Sequence, residues 1–144
     1  MPILNSPLDQ HGHALVDLFL DIPSARRLAL QSAAPQRLHC RGMVDPGATI
    51  TAIDSQVRQA LSLAPFRVRR ASVPNTPAPI RVRSYKVDLA ILFPSGVVIV
   101  LAPKLSVVAM PIAQTGVQVL LGCDVLSKCQ FIHNGSAQTF SLAW

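Results

Sequence analysis

Val16, Leu18, Leu20 and Ile22 alternate with Asp17 and Asp21, so residues 13–22 carry apolar side chains on one face of an extended chain and charge on the other. That is the period of a half-buried strand, not of a helix. The same punctuation recurs along the chain. Residues 37–44 place Leu38 and Cys40 opposite His39 and Arg41, and residues 49–53 are short and apolar. Residues 66–70 are extended, and residues 80–93 alternate at Val87, Leu89, Ile91 and Phe93. Pro94-Ser95-Gly96 makes a hairpin turn into residues 97–101, and further strands are predicted at about 105–110 and 117–121. A last hairpin joins residues 130–133 to 139–144 around Asn134-Gly135. Two short helices are predicted: residues 56–63, capped by Asp54 or Ser55 and closed by Pro65, and residues 124–128. Residues 25–36 are weakly patterned and Pro35 marks a loop. The sum is all-β: a small closed barrel or folded sheet with one or two short helices.

Composition sets the remaining bounds. At 144 residues the chain is read as one domain, residues 13–144, preceded by a tail of residues 1–12. Half of the residues are apolar and 14% are charged, which excludes a disordered chain. The most apolar run, residues 89–103, is interrupted by Pro94, Ser95 and Gly96, so no membrane helix and no membrane partner are expected. No signal peptide is read at the start. Cys40, Cys123 and Cys129 form no C-x-x-C pair, which predicts free thiols, a reducing, cytoplasmic location and no zinc site. His11 and His13 have no third ligand nearby, so no metal is expected there. The net charge is +6, densest at Arg67, Arg69, Arg70, Arg81 and Arg83. Few aromatic residues interleave with these arginines, so they read as a solvated strand face and nucleic acid is not the expected partner. No Ser-His-Asp, Cys-His or phosphate-cradling glycine pattern appears.

Two segments carry chemistry together. Gly42-Met43-Val44-Asp45-Pro46-Gly47-Ala48-Thr49 brings a carboxylate to the end of an apolar strand and turns on a glycine. About seventy residues on, Val117-Gln118-Val119-Leu120-Leu121-Gly122-Cys123-Asp124-Val125-Leu126 runs from an apolar strand through glycine into a helix. In this order and at this spacing, the pair resembles the retropepsin-like aspartic proteases, single-lobe relatives of pepsin, and most of all their bacterial and retroelement members. The likeness extends from about Leu15 to the C-terminus.

The resemblance implies a retropepsin-type barrel and peptide-bond hydrolysis without a cofactor. In that family two carboxylates share a proton and hold a water between them, one acting as base and the other as acid. Asp-x-Gly occurs once here, at Asp45, so the dyad would need a homodimer with one Asp45 from each subunit. Gly47 and Ala48 would line the cleft floor. Residues 74–79 would form a flap with Pro77 and Ala78 at its tip, over a polypeptide substrate. Asp124 reads as a structural partner or helix cap. One residue departs from the family: Pro46 stands where Thr or Ser is usual, and it offers neither hydroxyl nor N–H. The alternative reading is therefore a catalytically inactive dimeric barrel that binds peptides or proteins. A basic barrel that binds nucleic acid is the third.

Overall fold

The structure is a computed structural model that describes residues 1–73 and 75–144. Ten strands are described: β1 Ile3–Pro7, β2 Leu15–Asp21, β3 Leu38–Val44, β4 Ala52–Asp54, β5 Arg67–Ala71, β6 Ile80–Leu92, β7 Val98–Met110, β8 Val119–Leu121, β9 Gln130–Asn134 and β10 Thr139–Ala143. The short helices are α1 Ser24–Leu30, α2 Ser55–Ala60 and α3 Cys123–Leu126, with 3-10 turns at Gln31–Ala33 and Ala113–Thr115. The main sheet runs β2-β3-β8-β4-β7-β6-β5, and an added β2–β6 pairing closes it into a barrel. Leu18, Leu20, Val87, Leu89, Ile91, Val119 and Leu121, all fully buried, fill it. These are the inward positions of strands whose alternate residues face solvent. The all-β barrel predicted from the alternation is thus present.

Three features depart from the predicted outline. Residues 1–12 are not merely a tail: β1 pairs antiparallel with β10, Leu4 opposite Leu142, in a separate sheet ordered β1-β10-β9. Asn5, Ser6 and Pro7 carry no strand pattern of their own, and the pairing with β10 defines the strand. Next to it the Asp9 carboxylate accepts the His11 and His13 amides, each at 2.8 Å, so His11 and His13 lie on a turn organised by Asp9. The second departure is α1, which adds a third helix to the two expected. It buries no residue and leaves Leu28 exposed, so no amphipathic period marked it. It is held by polar ties, Ser24 to Asp88 and Arg27 to Asp21. The third is β7, one strand where two were predicted. At its irregularity Lys104 takes a positive φ of 51°, and its amide is held by the Asp88 carboxylate at 2.8 Å.

Asp54 ends β4 and caps α2. Its carboxylate is 3% exposed and accepts Gln56 N at 2.8 Å, Ile112 N at 3.0 Å and Ala113 N at 2.8 Å. Burial pushes its pKa up, but these backbone donors prevail and hold it below the ordinary 3.8. A depressed carboxylate contributes stability that is present above the unfolded-state value and is lost as pH falls through the lower folded value. Asp54→Ala leaves buried amides unpartnered and is expected to destabilise the fold by about 2–4 kcal/mol near neutrality. Urea unfolding at neutral pH and again in strong acid checks this, since the gap between parent and variant narrows in acid.

Candidate active site

The Asp45 loop is built by the insertion of one strand between two others. β8 lies parallel to β3, Val44 opposite Leu121, and antiparallel to β4, Ala52 opposite Leu120. The chain leaving β3 must therefore arch over the end of β8 to enter β4, and Asp45 begins that arch. Asp45 N donates to Leu121 O at 2.9 Å. Ala48 N donates to Asp45 O at 3.1 Å, closing the turn, and Gly47 N donates to the Asp45 carboxylate Oδ1 at 3.0 Å. Among the described residues Oδ2 accepts no hydrogen bond, so one carboxylate oxygen is held and the other is open.

The second motif fastens the arch from beneath. Cys123 N donates to Ala48 O at 2.8 Å, and the Cys123 thiol lies 3.2 Å from Pro46 O. A Cβ on Gly122 would stand 2.7 Å from the Ile50 carbonyl carbon and 2.9 Å from Ala48 O, so only glycine fits under the loop. Thr51, fully buried, donates its hydroxyl to Asp124 at 2.7 Å and accepts Gly122 N at 3.1 Å. Thr51 N also donates to the Asp124 carboxylate at 3.0 Å. Asp124 further accepts Val125 N at 3.0 Å. Asp124 therefore ties the two motifs together from within the first turn of α3, whose N-cap is Gly122 without a side-chain bond, so it is a structural partner and not the helix cap.

Asp45, Gly47 and Ala48 border a cavity of about 530 Å³. Ile50, Ala52, Val108, Met110 and Leu120 give it an apolar wall. Arg70 and Ala71 at the end of β5, and Ser72 and Val73 just beyond it, also line it. The Asp45 loop and the β5 side of the β5–β6 hairpin thus border the same cavity. Pro77 and Ala78 sit at its exposed tip and do not border this cavity, whereas Ser72 and Val73 do. Pro74, also assigned to the hairpin from sequence, lies outside the described residues. Pro46 is exposed at the turn.

Sequence reasoning did not find Thr51, Arg70 or the Val108, Met110 and Leu120 wall. Nothing local marks Thr51, because its partner Asp124 is 73 positions away. The wall residues share one side of neighbouring strands, which becomes readable only once strand order is known. Cys40 plays no part in the site; burial among apolar neighbours pushes its thiol up to about 11. All three cysteines are free, and no described helix is long and apolar enough to cross a membrane.

No protein-family model matches this chain, and no curated protein does. Solved structures do. A retropepsin-like aspartic protease from Rickettsia conorii superposes with a TM-score of 0.62 at 14% identity, covering 99% of this chain and 91% of that one. The EIAV protease complexed with the inhibitor HBY-793 gives a TM-score of 0.45 at 12% identity over 85% of this chain and 93% of that one. The first of these, together with the closed barrel and its inserted β8, identifies the architecture: the chain has the retropepsin-like aspartic protease fold.

Proposed function

We propose that this chain is an aspartic endopeptidase that works as a homodimer. The observation that carries the reading is the Asp45 carboxylate, held on one oxygen by the Gly47 amide, at the border of an apolar-walled cavity that the β5–β6 hairpin also lines. One such loop per chain supplies one carboxylate, and acid–base hydrolysis of a peptide bond by this chemistry needs two. A two-fold axis bringing two Asp45 residues together completes the dyad. A water held between them is deprotonated by one carboxylate and attacks the carbonyl carbon, while the other protonates the carbonyl oxygen. Collapse of the tetrahedral species breaks the C–N bond, with a proton passing to the leaving amine. Gly47 and Ala48 form the floor, and the β5–β6 hairpin acts as a flap with Pro77 and Ala78 at its tip. The substrate is an extended polypeptide, with alternate side chains directed to the apolar wall. The protease domain takes in β1 together with residues 13–144, because β1 pairs with β10 and buries Leu4 in the shared core. The three free thiols support a cytoplasmic setting.

Pro46 favours a second reading, a barrel that binds peptides without cutting them, because it removes the hydroxyl available to a partner loop. Pro46→Thr restores that hydroxyl. A hydrogen bond regained in each direction is expected to strengthen the dimer by about 0.5–1.5 kcal/mol per bond, read by sedimentation equilibrium. The test of function is cleavage of a peptide library from mildly acidic to neutral pH. Chain integrity is followed by mass spectrometry, because Asp45-Pro46 is itself an acid-labile bond. Cleavage by the parent chain supports the protease reading. A well-folded dimer that cuts nothing, both as the parent and as Pro46→Thr, overturns it in favour of the binding barrel.

A further inference from the structure

Residues 55–87 contain Arg58, Arg67, Arg69, Arg70, Arg81, Arg83 and Lys86 and not one acidic residue. That segment includes the paired part of the β5–β6 hairpin, Arg67–Ala71 against Ile80–Ser84; the first acidic residue of β6, Asp88, lies beyond it. The pairing register sets Arg70 directly opposite Arg81, and Val68 opposite Arg83. Like charges facing each other across strands destabilise a hairpin, so the arrangement calls for an external counter-charge. Among the described residues the ion pairs are Asp9–His13, Asp21–Arg27 and Asp17–His39, none of them on this hairpin.

The two faces of the hairpin differ. Val82 is buried in an apolar cluster with Ala52 and Val108, residues of the cavity wall, and Arg69 on that same face reaches Ser106 Oγ at 3.3 Å. Alternation then turns Arg81 and Arg83 to the opposite face, with Val68 beside them, all exposed; Arg70, paired with Arg81, is exposed at the end of β5, where it also borders the cavity. Phe66, 46% exposed, extends this face at the base of β5.

We propose that the outward face of the β5–β6 hairpin is a docking surface for an acidic, extended segment of the polypeptide substrate. The proposal rests on the protease reading only for the identity of that substrate. Residues two apart on a strand stand about 7 Å apart, so Arg81 and Arg83 match alternate acidic side chains of a second extended chain. Val68 and Phe66 offer apolar contact to residues beside those acids. A nucleic-acid strand fits less well. Its bases need open aromatic faces, and the one exposed ring here, Phe66, already has Lys86 Nζ 4.6 Å and the Arg67 guanidinium 5.5 Å from its centre. The hairpin also borders the Asp45 cavity, so a chain captured on its outer face is concentrated at the cleft.

The test uses the full chain carrying Asp45→Asn, which leaves bound peptide intact. The probes are two fluorescein-labelled peptides, one alternating Asp with Val and the other Asn with Val. The Asp peptide is expected to bind about tenfold more tightly by fluorescence anisotropy, a preference that shrinks as salt rises. Adding Arg81→Gln and Arg83→Gln, exposed residues that do not border the cavity, should abolish the preference while circular dichroism and melting stay unchanged. Equal affinity for the two peptides overturns the proposal. So does a preference that survives both substitutions, or tighter binding of a mixed-sequence single-stranded oligonucleotide. Failure of the protease reading has a different signature: no cleavage of the library by the parent chain, with the charge preference in binding intact.

Discussion

A chain carrying Asp45→Asn is expected to fold and associate like the parent and to lose peptide cleavage by at least about a thousandfold. The two side chains have the same shape, so the asparagine can still accept the Gly47 amide that holds Asp45 Oδ1 at 3.0 Å. What disappears is proton transfer, since an amide neither takes a proton from water nor returns one to a leaving nitrogen. Mixing parent and Asp45→Asn chains carries the argument further. If each site takes one carboxylate from each subunit, mixed dimers are inactive. An equal mixture after subunit exchange then retains about a quarter of the parent activity per total dimer. Activity that instead falls in proportion to the parent fraction would place a complete site within one chain and overturn the shared dyad.

Gly122→Ala is expected to be the most damaging single-methyl addition to this fold, destabilising it by more than about 3 kcal/mol. The added carbon meets Ile50 backbone at 2.7 Å and Ala48 O at 2.9 Å, and neither retreats without dragging the Asp45 loop away from β8. Gly42→Ala is a useful contrast. Its nearest obstacle, at 2.5 Å, is a terminal methyl carbon of Leu18, which can rotate, so a smaller loss is expected. At Gly135 the nearest atom is 3.8 Å away, and alanine there should change stability by no more than about 0.5 kcal/mol. Urea midpoints for the three variants give the ranking. Equal losses at positions 122 and 135 would contradict the packing described around the loop.

The barrel was legible because each inward strand face is repeated in sequence. Val16, Leu18 and Leu20 alternate, as do Val87, Leu89 and Ile91, and every one of these is buried. The Asp45 and Gly122 segments were legible for a different reason: their residue types are forced by a sharp turn and a close backbone approach. What stayed hidden depends on partners distant in sequence. β1 becomes a strand only by lying against β10, and α1 packs no buried side chain that would have given it a period. Thr51 reads as one more strand residue until Asp124 is placed beside it. Residues 102–104 fell between two predicted strands, yet the Asp88 carboxylate holds the Lys104 amide and the backbone of β7 continues through them.

The insertion of β8 between β3 and β4 also bears on when the site comes into being. During synthesis the Asp45 turn emerges early, but the strand that supports it and the Asp124 that anchors Thr51 follow more than seventy residues later. Until then no strand lies between β3 and β4, and closing so long a loop is among the slower steps available to a small β-rich chain. A nascent or truncated chain that stops short of Gly122 therefore carries the carboxylate but not the mould that shapes it. The shape of the Asp45 loop thus waits on β8 and on the Asp124 anchor of Thr51.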